Sequence, residues 1–223
     1  MSGRCFPILG PLALATAAVA QSSPLRIQFI GNEAVAVSDG RLLLVTDFPY
    51  QSGAFGYMRY EPSALNPAGR SVVLLITHRH DDHFDPGAVR DTSWRVLAPA
   101  EVVPRLPSGL VLPLDTVVSV GGATVRPIAT SHHNGAVEHY SYLVEWAGRR
   151  LYFVGDTEDP AALLAQRHLD MAFVSPWLWK AVRTRNAHID ARQVVIYHHR
   201  TGETVPGCTG TCRVPSQGET WGI

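Results

Sequence analysis

The feature that most constrains this chain is an apolar strand followed at once by a cluster of histidines and aspartates. Residues 72–77 read Val-Val-Leu-Leu-Ile-Thr, a run typical of a strand that is buried on both faces of a sheet. Residues 78–83 then read His-Arg-His-Asp-Asp-His. So many polar groups beside an apolar strand carry a high desolvation cost unless a bound ion organises them. A solvated, histidine-rich surface loop is the alternative interpretation.

Three further polar groups follow predicted strands in the same way. They are His132-His133, Asp156 within Gly155-Asp156-Thr157, and His198-His199. Loops at strand ends gather around sites on a rigid scaffold. Because residues two apart in an extended segment project to the same side, His78 and His80 can hold one ion, and a turn would swing Asp82 and His83 toward a second position. Imidazole and carboxylate groups suit zinc, and ligand type alone also admits manganese and iron.

Alternation and turn residues predict a strand-rich chain with helices outside two sheets. Helices are predicted at residues 86–91, 160–166 and 187–193, and residues 48–67 are predicted to be irregular. No linker divides the chain, so we expect one domain over residues 21–223. The predicted strands cover residues 25–30, 33–37, 41–46, 72–77, 94–98, 117–120, 124–130, 140–146, 150–154, 171–174 and 194–197.

The first twenty residues have the pattern of a signal peptide. Arg4 precedes an apolar stretch over residues 5–18, and Ala18-Val19-Ala20 forms a small-x-small cleavage site. We therefore expect a periplasmic or secreted protein with no stable membrane span after cleavage, and an uncleaved N-terminal anchor is the alternative. Cys208 and Cys212 are then the two remaining cysteines, and they predict a disulfide that closes a small loop. A soft metal site is the competing interpretation of this pair.

The charge balance limits the partners. The chain has 19 basic and 19 acidic residues, a formal net charge of zero. This balance leaves no basic footprint for nucleic acid or for an acidic membrane surface. A small-molecule substrate is the expected partner, and the oligomeric state stays open.

The motifs together resemble a known family. The order His78-x-His80-x-Asp82-His83, a later histidine, Gly155-Asp156-Thr157 and a final histidine resembles the metallo-β-lactamase superfamily over about residues 25–199. This resemblance implies an α/β fold, a four-layer αβ/βα sandwich with metals at one edge between the sheets. Residues 30–34 and 46–48 look like the branch of ascorbate-phosphate lactonases, which often has a histidine where this chain has Asn32.

The resemblance also implies a role for each polar residue at the predicted site. The cofactors would be two divalent metal ions, with Zn²⁺ preferred and Mn²⁺ or Fe²⁺ as alternatives. Spacing from Gly121-Gly122 favours His132 over His133, and the residue type after the final ligand favours His198 over His199; in each pair the neighbour stays the alternative. The first ion would be bound by His78, His80 and His132, the second by Asp82, His83 and His198, and Asp156 would bridge both.

The implied reaction is hydrolysis. A metal-bridging hydroxide would attack an ester, lactone or phosphoester-type bond, and Asp82 would take up the released proton. The alternatives are a zinc β-lactamase or quorum-type lactonase, a non-catalytic metal-binding module, and an exported structural domain. Asp156 argues against a β-lactamase, because the zinc β-lactamases lack this carboxylate. His80 argues against the oxygen-reducing di-iron relatives, which typically have an acidic residue there.

Aromatic side chains are the remaining candidates for a substrate groove. Trp177-Leu178-Trp179-Lys180 follows a predicted strand, and Phe48, Tyr50, Phe55, Tyr57 and Tyr60 crowd one early loop. Both sets would line an apolar groove or pack loops onto the core. His139 is a candidate partner of a metal ligand, whereas His168 and His188 are predicted to be ordinary surface histidines.

Overall fold

Two mixed sheets of seven strands each form the body of the protein in the computed structural model, which describes residues 24–90, 92–106, 111–112 and 117–223. The predicted signal peptide lies outside these residues. The α/β sandwich class predicted above is confirmed, although its helical layers are thin. The strands are β1 Arg26–Gly31, β2 Ala34–Ser38, β3 Leu42–Thr46, β4 Ser71–Leu75, β5 Arg95–Leu97, β6 Val111–Leu112, β7 Val118–Val120, β8 Ala123–Ala129, β9 Tyr140–Trp146, β10 Arg149–Phe153, β11 Leu169–Val174, β12 Ala191–Ile196, β13 Cys212–Arg213 and β14 Thr220–Gly222.

The two sheets share one design, in which an antiparallel half leads into a parallel half. The first sheet has the order β14-β1-β2-β3-β4-β5-β6, and pairing changes from antiparallel to parallel between β3 and β4. The second has the order β13-β12-β11-β10-β9-β8-β7 and becomes parallel between β10 and β11. Parallel neighbours end at the same edge of a sheet, so the segments after β3 and β4, and after β10 and β12, emerge together.

Buried side chains explain why these segments form strands. In the first sheet they alternate between two clusters, so that Val73 and Leu75 of β4 join the main core and Val72 and Leu74 join the second. The main core takes residues from both sheets, and the sheets therefore pack face to face. The second cluster covers the other face of the first sheet with residues from the loops after β3 and β4. This arrangement matches the prediction that the 72–77 run is buried on both faces.

The helices differ from prediction in the C-terminal half. Helix α1 covers Ala161–Ala165, as predicted, and residues 86–89 form a 3₁₀ helix. The predicted helix at residues 187–193 is wrong, because residues 191–193 belong to β12, paired in parallel with β11. The helix lies earlier, where α2 covers Pro176–Thr184 with proline in its first turn. Its Leu178 and Val182, one turn apart, are buried in the main core.

The C-terminal tail is part of both sheets. β13 extends the second sheet beside β12, and β14 pairs with β1 in the first sheet. The predicted disulfide between Cys208 and Cys212 is confirmed and closes the turn before β13. No helix among the described residues has the length and apolarity that a membrane crossing requires.

A buried tyrosine ties the two sheets together beneath the site. The hydroxyl of Tyr142, on β9 of the second sheet, donates to the carbonyl of Ile76, 2.7 Å away, just after β4 of the first sheet. The same side chain is fully buried. The carbonyl of Ile76 therefore has a side-chain donor from the opposite sheet two residues before the histidine cluster begins.

We predict that Tyr142→Phe lowers the free energy of unfolding by about 1–3 kcal/mol, because it leaves a buried carbonyl without its donor. Urea unfolding of the purified chain measures the loss. Tyr152→Phe is the matched control, since that hydroxyl is buried on β10 but makes no hydrogen bond of normal geometry with the described residues. Equal destabilisation by the two variants would contradict the tie between the sheets.

Candidate metal centre

Segments from both sheets bring the predicted ligands together at one edge. The 78–83 cluster follows β4 of the first sheet, and Asp156 and His198 follow β10 and β12 of the second. Despite the distance between them along the chain, His83 Nε2 lies 3.3 Å from Asp156 Oδ2 and 3.2 Å from His198 Nε2. The carboxyl ends of the parallel strands in the two sheets therefore lie close together.

One group of potential ligands contains three histidines. Ligand atoms of His78, His80, His132 and Asp156 all lie within 4.8 Å of one another. His78 Nε2 lies 2.8 Å from His80 Nδ1 and 3.8 Å from Asp156 Oδ2, and His132 Nε2 lies 4.0 Å from the same oxygen. These spacings allow one ion to contact all four residues.

A second group lies on the other side of Asp156. Ligand atoms of Asp82, His83 and His198 also lie within 4.8 Å of one another. Asp82 Oδ2 is 3.6 Å from His83 Nε2 and 3.5 Å from His198 Nε2. Asp156 reaches this group through Oδ1, which lies 3.1 Å from His198 Nε2. The carboxylate of Asp156 thus contacts both groups.

The two members of each uncertain histidine pair differ in burial or in the groups that they face. His132 is buried and faces Asp156, whereas the neighbouring His133 is exposed. His198 faces Asp156, whereas the ring of His199 stacks on Phe29 and its Nε2 lies 3.0 Å from the carbonyl of Pro215. Only the favoured member of each pair lies at the centre, and the assignment of these residues as metal ligands stays a prediction.

The chemistry of these groups fits divalent cations. Ring nitrogens of His78 and His80 face each other, as do those of His83 and His198, and such pairs converge on a point where a cation satisfies both. His132 Nε2 is buried and makes no hydrogen bond with the described residues. A metal ligand needs a ring nitrogen that is not occupied by a hydrogen bond, and His132 Nε2 meets this requirement.

Electrostatics distinguish the two groups. Burial lowers the pKa of His78, His80 and His132, so these imidazoles are neutral at neutral pH, the form that binds metal ions. In the second group burial alone would lower the pKa of His83 and of His198, but the negative charge of Asp156 and its neighbouring carboxylates outweighs burial and raises both. The first group is therefore rich in neutral nitrogen, and the second couples imidazole to carboxylate.

Residues outside the predicted set orient the ligands. Asp47, after β3, accepts hydrogen bonds from the backbone N–H and the hydroxyl of Thr77 and lies 3.1 Å from His83 Nδ1. The side-chain amide of Asn32 donates to the backbone carbonyl of Asp82 at 2.6 Å, and the backbone carbonyl of Asn32 accepts from the backbone N–H of His198. A carboxylate on the far nitrogen of a ligating histidine sets its orientation and basicity. Asp47 follows a strand end and could have been found by the rule that located Asp156.

His139 contacts the backbone of Asp156, the predicted shared ligand, and its role as a partner of a metal ligand stays a prediction. Its Nε2 accepts the Asp156 N–H at 2.9 Å, so the neutral ring carries its proton on Nδ1, 2.7 Å from the Thr130 hydroxyl. Gly155 permits this approach: a Cβ there would lie 2.4 Å from His139 Nε2, and its φ is +67°. Burial lowers the pKa of His139 to about 3.

Only some of the predicted aromatic residues lie at the site. The ring centroids of Tyr57 and Trp177 lie 4.2 and 4.9 Å from that of His198. Trp177 and Trp179 also line a cavity of about 700 Å³ between α2 and residues 203–206. Phe48 and Tyr50 instead pack in the second core cluster, and Phe55 is 67% exposed. Exposed His168 pairs with Asp190, as expected of a surface histidine.

Comparison with known families assigns this chain to a superfamily. The sequence matches the family described as the β-lactamase superfamily domain over residues 52–206, which is more than half of the chain and contains all seven predicted ligands. The chain belongs to the metallo-β-lactamase superfamily. No curated protein sequence matches it significantly.

Solved structures agree on the fold of this superfamily member. A protein from Parabacteroides distasonis assigned as a metal-dependent hydrolase is 23% identical, with a TM-score of 0.60 and coverage of 81% of this chain and 84% of its own. Igni18, a metallo-hydrolase from the archaeon Ignicoccus hospitalis, is 14% identical with a TM-score of 0.64, covering 90% and 98%. A diphosphatase of the PhnP family is 13% identical with a TM-score of 0.62, covering 90% and 97%.

We predict that His139→Gln reduces the acid sensitivity of the metal-free protein. A histidine with a lowered folded pKa stabilises the fold above its unfolded pKa near 6.5, and that contribution is lost as pH falls toward about 3. The stability difference between wild type and variant should therefore shrink by up to about 1.4 kcal/mol per pH unit below 6.5. Urea unfolding with chelator at pH 7, 6 and 5 measures it, and a difference that is constant across these pH values would contradict the assignment.

Proposed function

We propose that this chain is a dinuclear metal-dependent hydrolase that cleaves an ester, lactone or phosphoester-type bond. The observation that carries the proposal is the position of Asp156, whose carboxylate lies within 4.0 Å of histidines from both ligand groups. A carboxylate shared in this way suits two neighbouring cations. Membership of the metallo-β-lactamase superfamily supports the reaction class.

The proposed roles follow the two groups. His78, His80 and His132 would hold one ion, Asp82, His83 and His198 the other, and Asp156 both. When bound, such ions supply a water whose pKa is lowered to near 7, and they offset negative charge in the transition state. Zn²⁺ fits the three-histidine group, since neutral imidazole suits zinc well.

Asp82 is the residue proposed to move a proton. Burial alone would raise the pKa of this carboxyl, but the hydrogen bond and charge of His198 and the charge of His83 lower it. Asp82 is therefore ionised at neutral pH and can accept the proton that the attacking water releases. Its backbone is held by Asn32, so the carboxylate stays beside the two imidazoles.

The surroundings indicate a small-molecule substrate with an apolar part. The ring of Trp177 contacts that of His198 and also forms part of the wall of the 700 Å³ cavity, although none of the seven proposed ligands lines that cavity. Lys180, Arg183 and Glu203 line the same cavity, and their net charge of +1 would favour an acidic substituent. Asp156 favours phosphoesters, lactones or thioesters over β-lactams, and the likeness in fold to a diphosphatase is compatible with this preference.

We also propose that the protein is exported to the periplasm or secreted. The signal-peptide pattern of residues 1–20 supports this location, as does the Cys208–Cys212 disulfide, which persists in oxidising compartments. Mass spectrometry of the mature protein from its native host should find an N-terminus at Gln21. An intact N-terminus on a protein recovered from the cytoplasm would contradict export.

We predict that protein purified without a histidine tag binds about two divalent ions per chain and loses hydrolysis on chelation. The measurements are metal analysis and a panel of phosphodiester, lactone, thioester, ester and β-lactam substrates with Zn²⁺, Mn²⁺ and Fe²⁺ in turn. Asp156→Asn should keep the fold and lower both metal content and turnover, because it weakens the shared ligand.

The adjacent histidines offer a matched control for this test. His132→Ala should lose metal and activity, whereas His133→Ala, the exposed neighbour, should change neither by more than about twofold. A metal-loaded protein that hydrolyses nothing in the panel would favour the non-catalytic metal-binding module. Protein that binds no metal would overturn the proposal.

A further inference from the structure

Glu33 is a buried acidic residue that the proposed mechanism does not use. It lies in the turn between β1 and β2, and its side chain is fully buried. No N–H or O–H group of the described residues donates a hydrogen bond to either carboxylate oxygen. A buried carboxylate that accepts no hydrogen bond has a high desolvation cost, and a neighbouring positive charge would offset that cost.

The neighbours of Glu33 are the ligands of the second group. Ligand atoms of Glu33, Asp156 and His198 all lie within 4.8 Å of one another. Glu33 Oε2 also lies 3.5 Å from Nδ1 of His83, and Asp47 completes a further group with these two residues. The carboxylate therefore faces two other acidic side chains, and a shared cation is the partner that relieves their repulsion.

The charge count at the centre supports a cation beside Glu33. The buried acidic side chains of the described residues are Glu33, Asp47, Asp82 and Asp156, and no lysine or arginine among those residues is buried with them. Fully ionised, these carboxylates would carry four negative charges, although without a cation burial and the charge of Asp156 hold the pKa of Glu33 well above its usual range. Two divalent cations would balance four ionised carboxylates with every histidine neutral, whereas in the metal-free chain the raised pKa values of His83 and His198 supply positive charge instead.

We propose that Glu33 is a further carboxylate ligand of the second cation, beside Asp156 and His198. This inference rests on the proposed function, since it requires a second ion at that position. Its consequence is a difference in chemistry between the two positions. The first has three imidazoles and the shared Asp156, whereas the second gains an additional carboxylate and becomes oxygen-rich. Oxygen ligands suit Mn²⁺, so Glu33 favours Mn²⁺ at the second position while the first retains Zn²⁺.

The competing interpretation places Glu33 only behind His83, where Asp47 already lies. Asp47 is equally buried and lies 3.1 Å from the same Nδ1, but it is not grouped with Asp156 and His198. Asp47→Asn is therefore the matched control for Glu33→Gln. Both variants replace a buried carboxyl beside His83 with an amide, and only Glu33→Gln removes a proposed ligand.

The decisive experiment is a crystal structure of the full mature chain loaded with Mn²⁺ and Zn²⁺, with the ions assigned by anomalous scattering. We expect a Glu33 oxygen at about 2.0–2.4 Å from the second ion, the normal range for carboxylate ligands. Two bound ions with both Glu33 oxygens beyond about 3 Å would overturn this inference and leave the proposed function standing. A chain that binds no ion in solution would overturn both.

Metal titrations provide a second readout. Glu33→Gln should raise the Kd of the second Mn²⁺ at least tenfold and reduce the preference for Mn²⁺ over Zn²⁺ there, and Glu33→Asp should restore part of it. Asp47→Asn should weaken the binding of Mn²⁺ and of Zn²⁺ at the second position equally, without changing the preference for Mn²⁺ over Zn²⁺. An unchanged preference in folded Glu33→Gln would overturn the inference, and if that variant does not fold, the wild-type crystal structure decides.

Discussion

The structure depends on the concentration of charge that it buries at one edge between two sheets. Asp156 lies within 4.0 Å of four histidines from three separate segments, and burial makes each of those contacts stronger than it would be in water. Burial alone would raise the pKa of this carboxyl, but the charges and hydrogen bonds of His198 and His83 hold it well below its usual range. Such a centre requires a rigid frame, and the strands that precede it, buried over their carboxyl-terminal residues, provide one.

Several side chains that touch no predicted ion make this centre possible. Asp47 and Thr77 hold His83 from the first sheet, while His139 holds the backbone of Asp156 from the second. Gly155 has no Cβ, which lets the His139 ring approach to hydrogen-bonding distance. The hydroxyl of Tyr142 joins the sheets two residues before the cluster begins. The alignment of ligands from distant segments therefore rests on buried hydrogen bonds within each sheet and on the Tyr142 bond between the sheets, as expected where a precise geometry is held by its outer partners.

The two groups of potential ligands and the cavity beside them differ in chemistry. The three-histidine group is neutral, the second group pairs imidazole with carboxylate, and Asp156 joins them. Helix α2 then places Trp177 against His198 and lines the adjacent cavity together with residues 203–206. None of the seven predicted ligands is among the residues that line this cavity. Under the proposed function the centre would supply the reaction class and the cavity walls the choice of substrate.

The sequence by itself determined the features that are encoded locally. The apolar run at 72–77 predicted a doubly buried strand, hairpin turns predicted most of the two sheets, and strand-end positions selected the residues that converge at the centre. The sequence alone does not reveal structure that depends on contacts between distant segments of the chain. β12 replaced the predicted helix at 187–193 because pairing with β11 outweighs weak helical preference, and β13 and β14 form only because neighbouring strands offer partners. Likewise Glu33 lies in a turn with no metal-ligand spacing around it. Only packing of the two sheets placed its carboxylate beside Asp156 and His198, since burial and distance are properties of the folded chain.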